Sequence, residues 1–358
     1  MLSVGIVGLP NVGKSTLYNA LTCGAAEASN YPFTTIDSNV GVVPVPDPRL
    51  DELERVLRPE KKTPCAIRVI DIAGLVEGAS RGEGLGNQFL GEIRQVDAIV
   101  HLVRSFSRSD VSHVFAEVDP LRDAGIIDTE LMLADLEVLV RAIAKRSRDW
   151  QTHPAEHADE RRRMTAWKDC LERGGVLRSL DLDDADRRDL KTAGLLTGKP
   201  VLYVANVGSE AEAEELDGLR GREPDARVIA IDAELERELV ELEPDERAEF
   251  MSELGMSSTG LDRMVRAAFE LLGLISFYTV VKNKLQAWEV PADTPAPVAA
   301  GKIHSDMEAG FIRAKVVSAD ELIEVGDLHA IQSAGHMRTL GKDSVISDGD
   351  VVEFLFSG

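Results

Sequence analysis

The sequence predicts an α/β fold that is interrupted by a helical insertion and followed by a smaller α+β domain. Three observations predict it. Between Leu2 and Asp119, apolar runs of strand type (Leu2 to Leu9, Ala66 to Ile72, Ala98 to Val103) alternate with helical periodicity, the pattern of a parallel sheet covered by helices. The alternation resumes at Pro200 to Asn206 and Ala226 to Ile231 and closes with a helical stretch from Gly260 to Leu272. From Phe277 the texture changes to short strand-type runs (FYTVV, GFIRAKVV, VVEFLF) broken by Pro291, Pro295, Pro297 and several glycines.

These features divide the chain into an interrupted α/β domain over 1–276, an insertion over 121–198 and a C-terminal domain over 277–358. In the insertion, Leu133, Leu136, Val140 and Ile143 recur at intervals of three and four residues, which lines one face of a helix. Met164, Trp167 and Leu171 repeat that spacing on a second charged helix, so the pair is expected to form an antiparallel coiled-coil hairpin.

At 358 residues the chain is long enough for more than one core. No apolar run reaches the roughly 20 residues that would cross a bilayer, and the chain enters its first strand without a leader pattern, so a soluble, cytoplasmic protein is expected and no membrane partner. Three widely spaced cysteines, Cys23, Cys65 and Cys170, suggest neither a disulfide framework nor a zinc cluster; Cys23 and Cys65 are read as packing residues. The net charge is −22, which disfavours nonspecific capture of nucleic acid, since that draws on many lysine and arginine contacts. The C-terminal domain does not reverse this, with 7 basic against 12 acidic residues, so any RNA contact must be local.

Chemistry enters with Gly8-Leu9-Pro10-Asn11-Val12-Gly13-Lys14-Ser15. It fits G-x-x-x-x-G-K-[ST], directly after a strand and opening a helix that continues to about Leu21. Gly8 and Gly13 let the backbone curl so that successive N–H groups point at β- and γ-phosphates, Lys14 adds a charge there, and the Ser15 hydroxyl is placed for magnesium. Asp71-Ile72-Ala73-Gly74 ends a strand sixty residues on. Asp71 would reach magnesium through water, and the Gly74 N–H would bond the γ-phosphate. Lys14 and Gly74 are therefore the candidate catalytic groups.

Thr34 and Thr35 lie in a polar loop after the first helix, where a threonine can hold magnesium only while the γ-phosphate is present; Thr35 is the expected ligand. Gly74 is followed by Leu75 rather than a water-orienting glutamine, so intrinsic hydrolysis is expected to be slow unless another group holds the water. His101, inside AIVHLV, is a candidate for that task, although a core histidine is the better reading. The stretch Gly78 to Gly86 is read as a second mobile switch loop. Asn206 and Val207 end a strand where such folds bind the base. The lysine and aspartate that would select guanine are missing, since Gly208 and Ser209 follow.

With these residues in view, the sequence resembles the Obg-like ATPases of the YchF type. GLPNVGKST, NYPFTTID, DIAGLVEGAS and GEGLGNQFL look like that family's phosphate loop, switches and following helix, and AAGKIHSDMEAGFIRAKVV and SDGDVVEFLF look like its TGS domain. The resemblance implies a Ras-like nucleotide domain, a coiled-coil insertion, a ubiquitin-like TGS domain, preference for ATP over GTP, and a ribosomal partner. It implies that Asn11, Val12, Gly13, Lys14, Ser15 and Thr16 bind the triphosphate. Ser15 and Thr35 would hold Mg2+, and Asn206 and Val207 would meet the base. Asn11 also stands where potassium-dependent relatives hold K+. The family usually reads N-x-x-E at the base, whereas here Ser209 precedes Glu210, and Asp232-Ala233-Glu234 is an acidic variant of the loop behind the base. A GTP-binding translation switch and an ATP-sensing module with little hydrolysis are the competing readings.

Overall fold

A computed structural model describes residues 1–24, 39–73, 85–106, 117–208, 216–223 and 226–357. The chain forms two compact units, one of residues 2–41 and 68–264, the other of Met1, 42–67 and 265–358. The sequence boundary at 277 therefore does not coincide with the boundary of the second unit, which takes in 42–67.

Strands β1 (Ser3–Val7), β2 (Val40–Pro44), β4 (Ala66–Asp71), β5 (Ala98–Ser105), β6 (Val201–Val207) and β7 (Arg227–Ile231) form one sheet in the order β2-β4-β1-β5-β6-β7. The pairs β1–β4, β1–β5, β5–β6 and β6–β7 are all parallel, as the alternating sequence pattern predicts. Every residue of β5 and β6 is buried, which is why these segments read as continuous apolar runs rather than as alternation. Because β1 has neighbours on both sides, the loop after Val7 opens at the carboxyl ends of the strands, where parallel sheets leave a crevice.

Among the described residues the larger unit also holds α1 (Lys14–Gly24), α3 (Leu85–Gln95), α4 (Pro120–Thr152), α5 (Ala158–Glu172) and α6 (Asp184–Ala193). After them come α7 (Asp217–Arg220), α8 (Ala233–Glu241), α9 (Pro244–Glu253) and the start of α10 (Gly260–Leu271). Helix α4 begins where Asp119 accepts a hydrogen bond from Arg122 N and Pro120 occupies the first turn. Helix α6 is capped by Asp183 and closed by Gly194 at φ 68°.

The inserted helices pack as expected in part. Met164, Trp167 and Leu171 are buried together with Leu139 and Trp150 of α4, and Leu177, Leu182, Leu190 and Leu195 complete this small core. The predicted α4 stripe is corrected. Leu133 and Val140 are 47% and 45% exposed, while Leu136 and Ile143 are only partly buried. The reason is that α4 serves two cores: Ala124, Ile127 and Leu131 face inward where it packs on β5, and Leu139 and Trp150 face inward where it meets α5. A single heptad seam cannot satisfy both.

The second unit is a sheet of β11 (Arg338–Leu340), β10 (Phe311–Ser318), β12 (Asp350–Phe356), β8 (Leu274–Val281), β9 (Lys284–Pro291) and β3 (Lys61–Thr63), in that order. Its edge strand β3 pairs in parallel with β9, which ties residues 61–63 to the C-terminal part of the chain. Helices α11 (Ala296–Ile303) and α12 (Ser305–Ala309) pack together, and Ala296, Ala299 and Ala300 join Phe277, Phe311, Val316 and Val352 in the core. Helices α2 (Pro48–Leu57), α13 (Ala319–Val325) and α14 (Leu328–Ala334) complete the unit. Cys65 and Cys170 are buried and Cys23 is exposed, so Cys23 is not the packing residue that the sequence suggested.

Candidate nucleotide site

Two glycines shape the loop between β1 and α1. A Cβ at Gly8 would stand 2.7 Å from the Leu102 carbonyl oxygen, so only glycine lets the loop leave β1 this close to β5. Gly13 sits at φ 94°, and a Cβ there would lie 2.3 Å from Asn206 Nδ2. Asn11 also adopts a left-handed conformation, at φ 63°, a region that asparagine tolerates better than most residues. The loop then enters α1, where Leu17 N donates to Gly13 O at 3.0 Å. The first N–H groups of a helix have no acceptor within it, and no acidic side chain occupies the first turn of α1 to supply one. A curled loop with two left-handed residues running into such a turn is a cradle for oxyanions and fits a polyphosphate.

Lys14 and Asp71 meet across this cradle, the ammonium donating to Oδ1. Both side chains are largely shielded, at 13% and 21% exposed. Tyr18, one turn further along α1, has its phenol pushed above its ordinary range by burial and then by the Asp71 charge. Ser15 is exposed at the start of α1, and Thr16 is half-buried beside it. Among the described residues no cluster of three or more His, Cys, Asp or Glu side chains could hold a metal ion by itself. Thr34, Thr35, Gly74, Leu75, Ser209 and Glu210 lie outside the described residues, as does most of the Gly78 to Gly86 stretch.

The far wall is set by Asn206, 5% exposed at the end of β6. Its Nδ2 donates to the Val12 carbonyl at 2.9 Å, and its Oδ1 accepts from Ala233 N at 3.1 Å. Asparagine is suited to this because it offers a donor and an acceptor on one planar group. Asp232 caps α8 by accepting from Glu234 N and Leu235 N at 3.0 and 3.1 Å, which presents Ala233 N to Asn206. Val207 is 7% exposed and follows directly. Asn206, which the sequence assigns to the base, also braces the phosphate loop against α8.

Sequence reasoning missed a buried polar network on the same sheet. Asp128 of α4 accepts from Arg178 at 2.8 Å and from Arg222 at 2.6 Å, while Tyr203 OH and Arg178 both reach Glu223. His101 lies 5.5 Å from Tyr203, ring to ring, and its Nε2 has no hydrogen-bond partner. Burial drives the His101 pKa down to about 4. It is 2% exposed, the core histidine that the sequence reading preferred. Burial alone would raise the Asp128 carboxyl, but Arg178, His101 and Arg222 hold it below its usual range. Asp128, Arg178 and Glu223 come from charged stretches whose sequence looks like solvated surface, so only the three-dimensional pairing reveals them.

A parallel sheet with a phosphate-type loop after β1, a lysine–aspartate pair across it and an asparagine brace define a P-loop nucleotide-binding protein of the α/β class. Residues 3–143 match the family described as a 50S ribosome-binding GTPase. Residues 274–357 match the YchF-GTPase C-terminal family, described as a protein of unknown function. The chain is 44% identical to the ribosome-binding ATPase YchF of Escherichia coli O157:H7 over 99% of this chain and 98% of that protein. It is likewise 44% identical to the protein of that name from Bacillus subtilis, over 99% of each. The structure of the Schizosaccharomyces pombe YchF GTPase superimposes with a TM-score of 0.88 at 31% identity, covering 99% of this chain and 97% of that one. The chain belongs to the YchF family.

Proposed function

We propose that this chain is a magnesium-dependent ATPase that cycles between two states and associates with the ribosome in the cytoplasm. The observation that carries the reading is the loop Gly8 to Ser15, held by Asn206 and faced by Asp71. Asn11 through Thr16 bind the triphosphate, with Lys14 and the Gly74 N–H against the γ-phosphate as the catalytic groups. Ser15, Thr35 and Asp71 hold Mg2+ directly or through water, and Asn206 and Val207 border the base. A magnesium ion held there would supply positive charge to offset the charge that develops on the phosphates. With nucleotide and cation bound, Lys14 would exchange its Asp71 partner for phosphate, leaving Asp71 to face the hydrated cation. This swap links the end of β4 to the presence of a triphosphate. Asn11 is the proposed contact for K+ where a monovalent cation takes part.

Ribosome association is supported by the bacterial relatives, which are named ribosome-binding ATPases. The domain roles follow the sequence: a Ras-like nucleotide domain over 1–276, a helical coiled-coil insertion over 121–198, and a ubiquitin-like TGS domain over 277–358. A GTP-using switch is the second reading, favoured by the description of the fission yeast relative as a GTPase. Competition between ATP and GTP on the purified protein with magnesium separates the two. Tenfold tighter GTP binding overturns the ATP assignment and leaves the phosphate site intact. Turnover with and without potassium and ribosomes distinguishes an enzyme from an ATP sensor.

A further inference from the structure

In a chain of net charge −22, basic residues gather on one surface of the second unit among the described residues. It is the tip of the β8–β9 hairpin together with the adjoining edge strand β3. Residues 58–63 (RPEKKT) and 281–286 (VKNKLQ) contain five basic residues and one acid, Glu60. Backbone pairing brings them together: Lys61 stands in register with Lys284 on neighbouring parallel strands, Val281 is paired with Lys284 across the hairpin, and Glu60 N donates to Asn283 O at 2.8 Å.

The five cations are of two kinds. Lys62 faces α2 and is neutralised by Asp51 at 2.9 Å and Glu54 at 2.5 Å. Arg58, Lys61, Lys282 and Lys284 are exposed and make no ion pair among the described residues. Two features of this arrangement oppose stability. Lys61 and Lys284 are like charges directly opposite each other, at a strand spacing of about 4.8 Å. The turn places Lys282 and Asn283 at φ 49° and 58°, conformations for which a hairpin turn prefers Asn-Gly or glycine. Solubility does not require such a cluster in so acidic a chain, and of its five cations only Lys62 is ion-paired among the described residues.

We propose that this hairpin tip and edge strand are a docking surface for the phosphate backbone of RNA, with Arg58, Lys61, Lys282 and Lys284 as the contacts. The proposal rests on the ribosome-associated reading given above and names the surface through which it operates. Four lysine and arginine contacts neutralise about four phosphates, and on single strands each contributes about −0.7 to the slope of log K against log salt. Contacts of this kind are salt-sensitive, because each releases counterions from the phosphate backbone.

The test uses the full chain with substitutions Lys61→Gln, Lys282→Gln and Lys284→Gln combined, and a second triple variant with glutamate at the same positions. None of these residues belongs to the nucleotide site, so ATP binding serves as the control for folding. Two measurements are made: co-sedimentation with purified ribosomes, and binding to protein-free ribosomal RNA across a salt series. The expected result is at least tenfold weaker RNA binding for the glutamine variant, with the salt slope reduced by about 2, and a larger loss for the glutamate variant. Wild-type affinity and slope in both variants overturn the proposal, as does failure of the unaltered protein to bind protein-free RNA. Ribosome co-sedimentation that survives in the variants with unchanged salt dependence overturns the patch but leaves ribosome association standing. Absence of co-sedimentation by the unaltered protein removes the ribosome reading itself.

Discussion

Asn206 and Val12 are 194 positions apart in sequence, yet the asparagine amide donates to the valine carbonyl at 2.9 Å and closes the phosphate loop against the end of β6. The same side chain accepts from Ala233 N, so one residue fixes the loop and the start of α8 at once. This arrangement explains why Gly13 has no room for a side chain: the Asn206 amide already occupies the space where its Cβ would be.

Asn206→Asp preserves the acceptor for Ala233 but replaces the donor with an oxygen facing the Val12 carbonyl. Losing a buried hydrogen bond and leaving its acceptor unpaired costs about 1–3 kcal/mol. The expected outcome is a melting temperature several degrees lower and triphosphate binding weaker by ten-fold or more in calorimetric titration. Asn206→Ala should be milder, because it removes the contact without adding repulsion. If the aspartate variant binds ATP as the unaltered protein does, the brace has no part in shaping the loop.

Lys14→Ala removes the cation between Asp71 and the phosphate position. We expect triphosphate affinity or turnover to fall at least tenfold, about 1.4 kcal/mol, and the loss to be greater for triphosphate than for diphosphate. Ser15→Ala should instead weaken the dependence on magnesium while leaving magnesium-free binding close to unaltered. A magnesium titration of both variants tells these effects apart; a serine variant with normal magnesium dependence rules out its ligand role.

Much of this was legible in the sequence, for identifiable reasons. The phosphate loop could be read because glycine and lysine are required there by backbone geometry and charge, wherever the chain goes afterwards. Strands β5 and β6 could be read because they are buried on both faces. Strand β3 could not: Lys61-Lys62-Thr63 carries no apolar signal, and it is a strand only because β9 offers it an edge. The α4 stripe misled because the helix changes the face it buries along its length. The Asn206 brace was hidden because its partner is a backbone carbonyl, which leaves no trace in residue identity.

Asp128 holds Arg178 and Arg222 on separate carboxylate oxygens, at 2.8 and 2.6 Å. Removing it by Asp128→Ala leaves two shielded guanidinium groups facing each other with Glu223 as the remaining counter-charge, and breaking a buried pair from one side costs about 3–5 kcal/mol. We expect loss of stability of that order in urea unfolding, with detachment of α4 from the sheet visible as faster hydrogen exchange in residues 120–135. Asp128→Asn should recover part of the loss by retaining hydrogen bonds without the charge. Equal stability of the alanine variant and the unaltered chain contradicts a structural role for the network.

His101 links stability to pH with a definite sign. Its pKa falls from 6.5 to about 4 in the folded chain, because burial penalises the charged ring and the neighbouring arginines add to that penalty against the pull of Asp128. Between these two values the unfolded chain binds a proton that the folded chain does not, so stability decreases as pH is lowered from 6.5 toward 4. Above 6.5 both states are neutral at this ring, and below 4 both are protonated, so its contribution is flat outside the window. A shift of this size corresponds to at most about 3 kcal/mol across it. Asp128 acts in a different range: its carboxyl is held below 3.8, so the stability it provides is lost only as pH falls through that lower value. His101→Leu removes the first linkage and leaves the second to Arg178 and Arg222. Urea unfolding at pH 7.0 and at pH 4.5 should therefore show a smaller difference for the leucine variant than for the unaltered chain. If the two chains lose the same stability between those pH values, the titration responsible lies elsewhere in the protein.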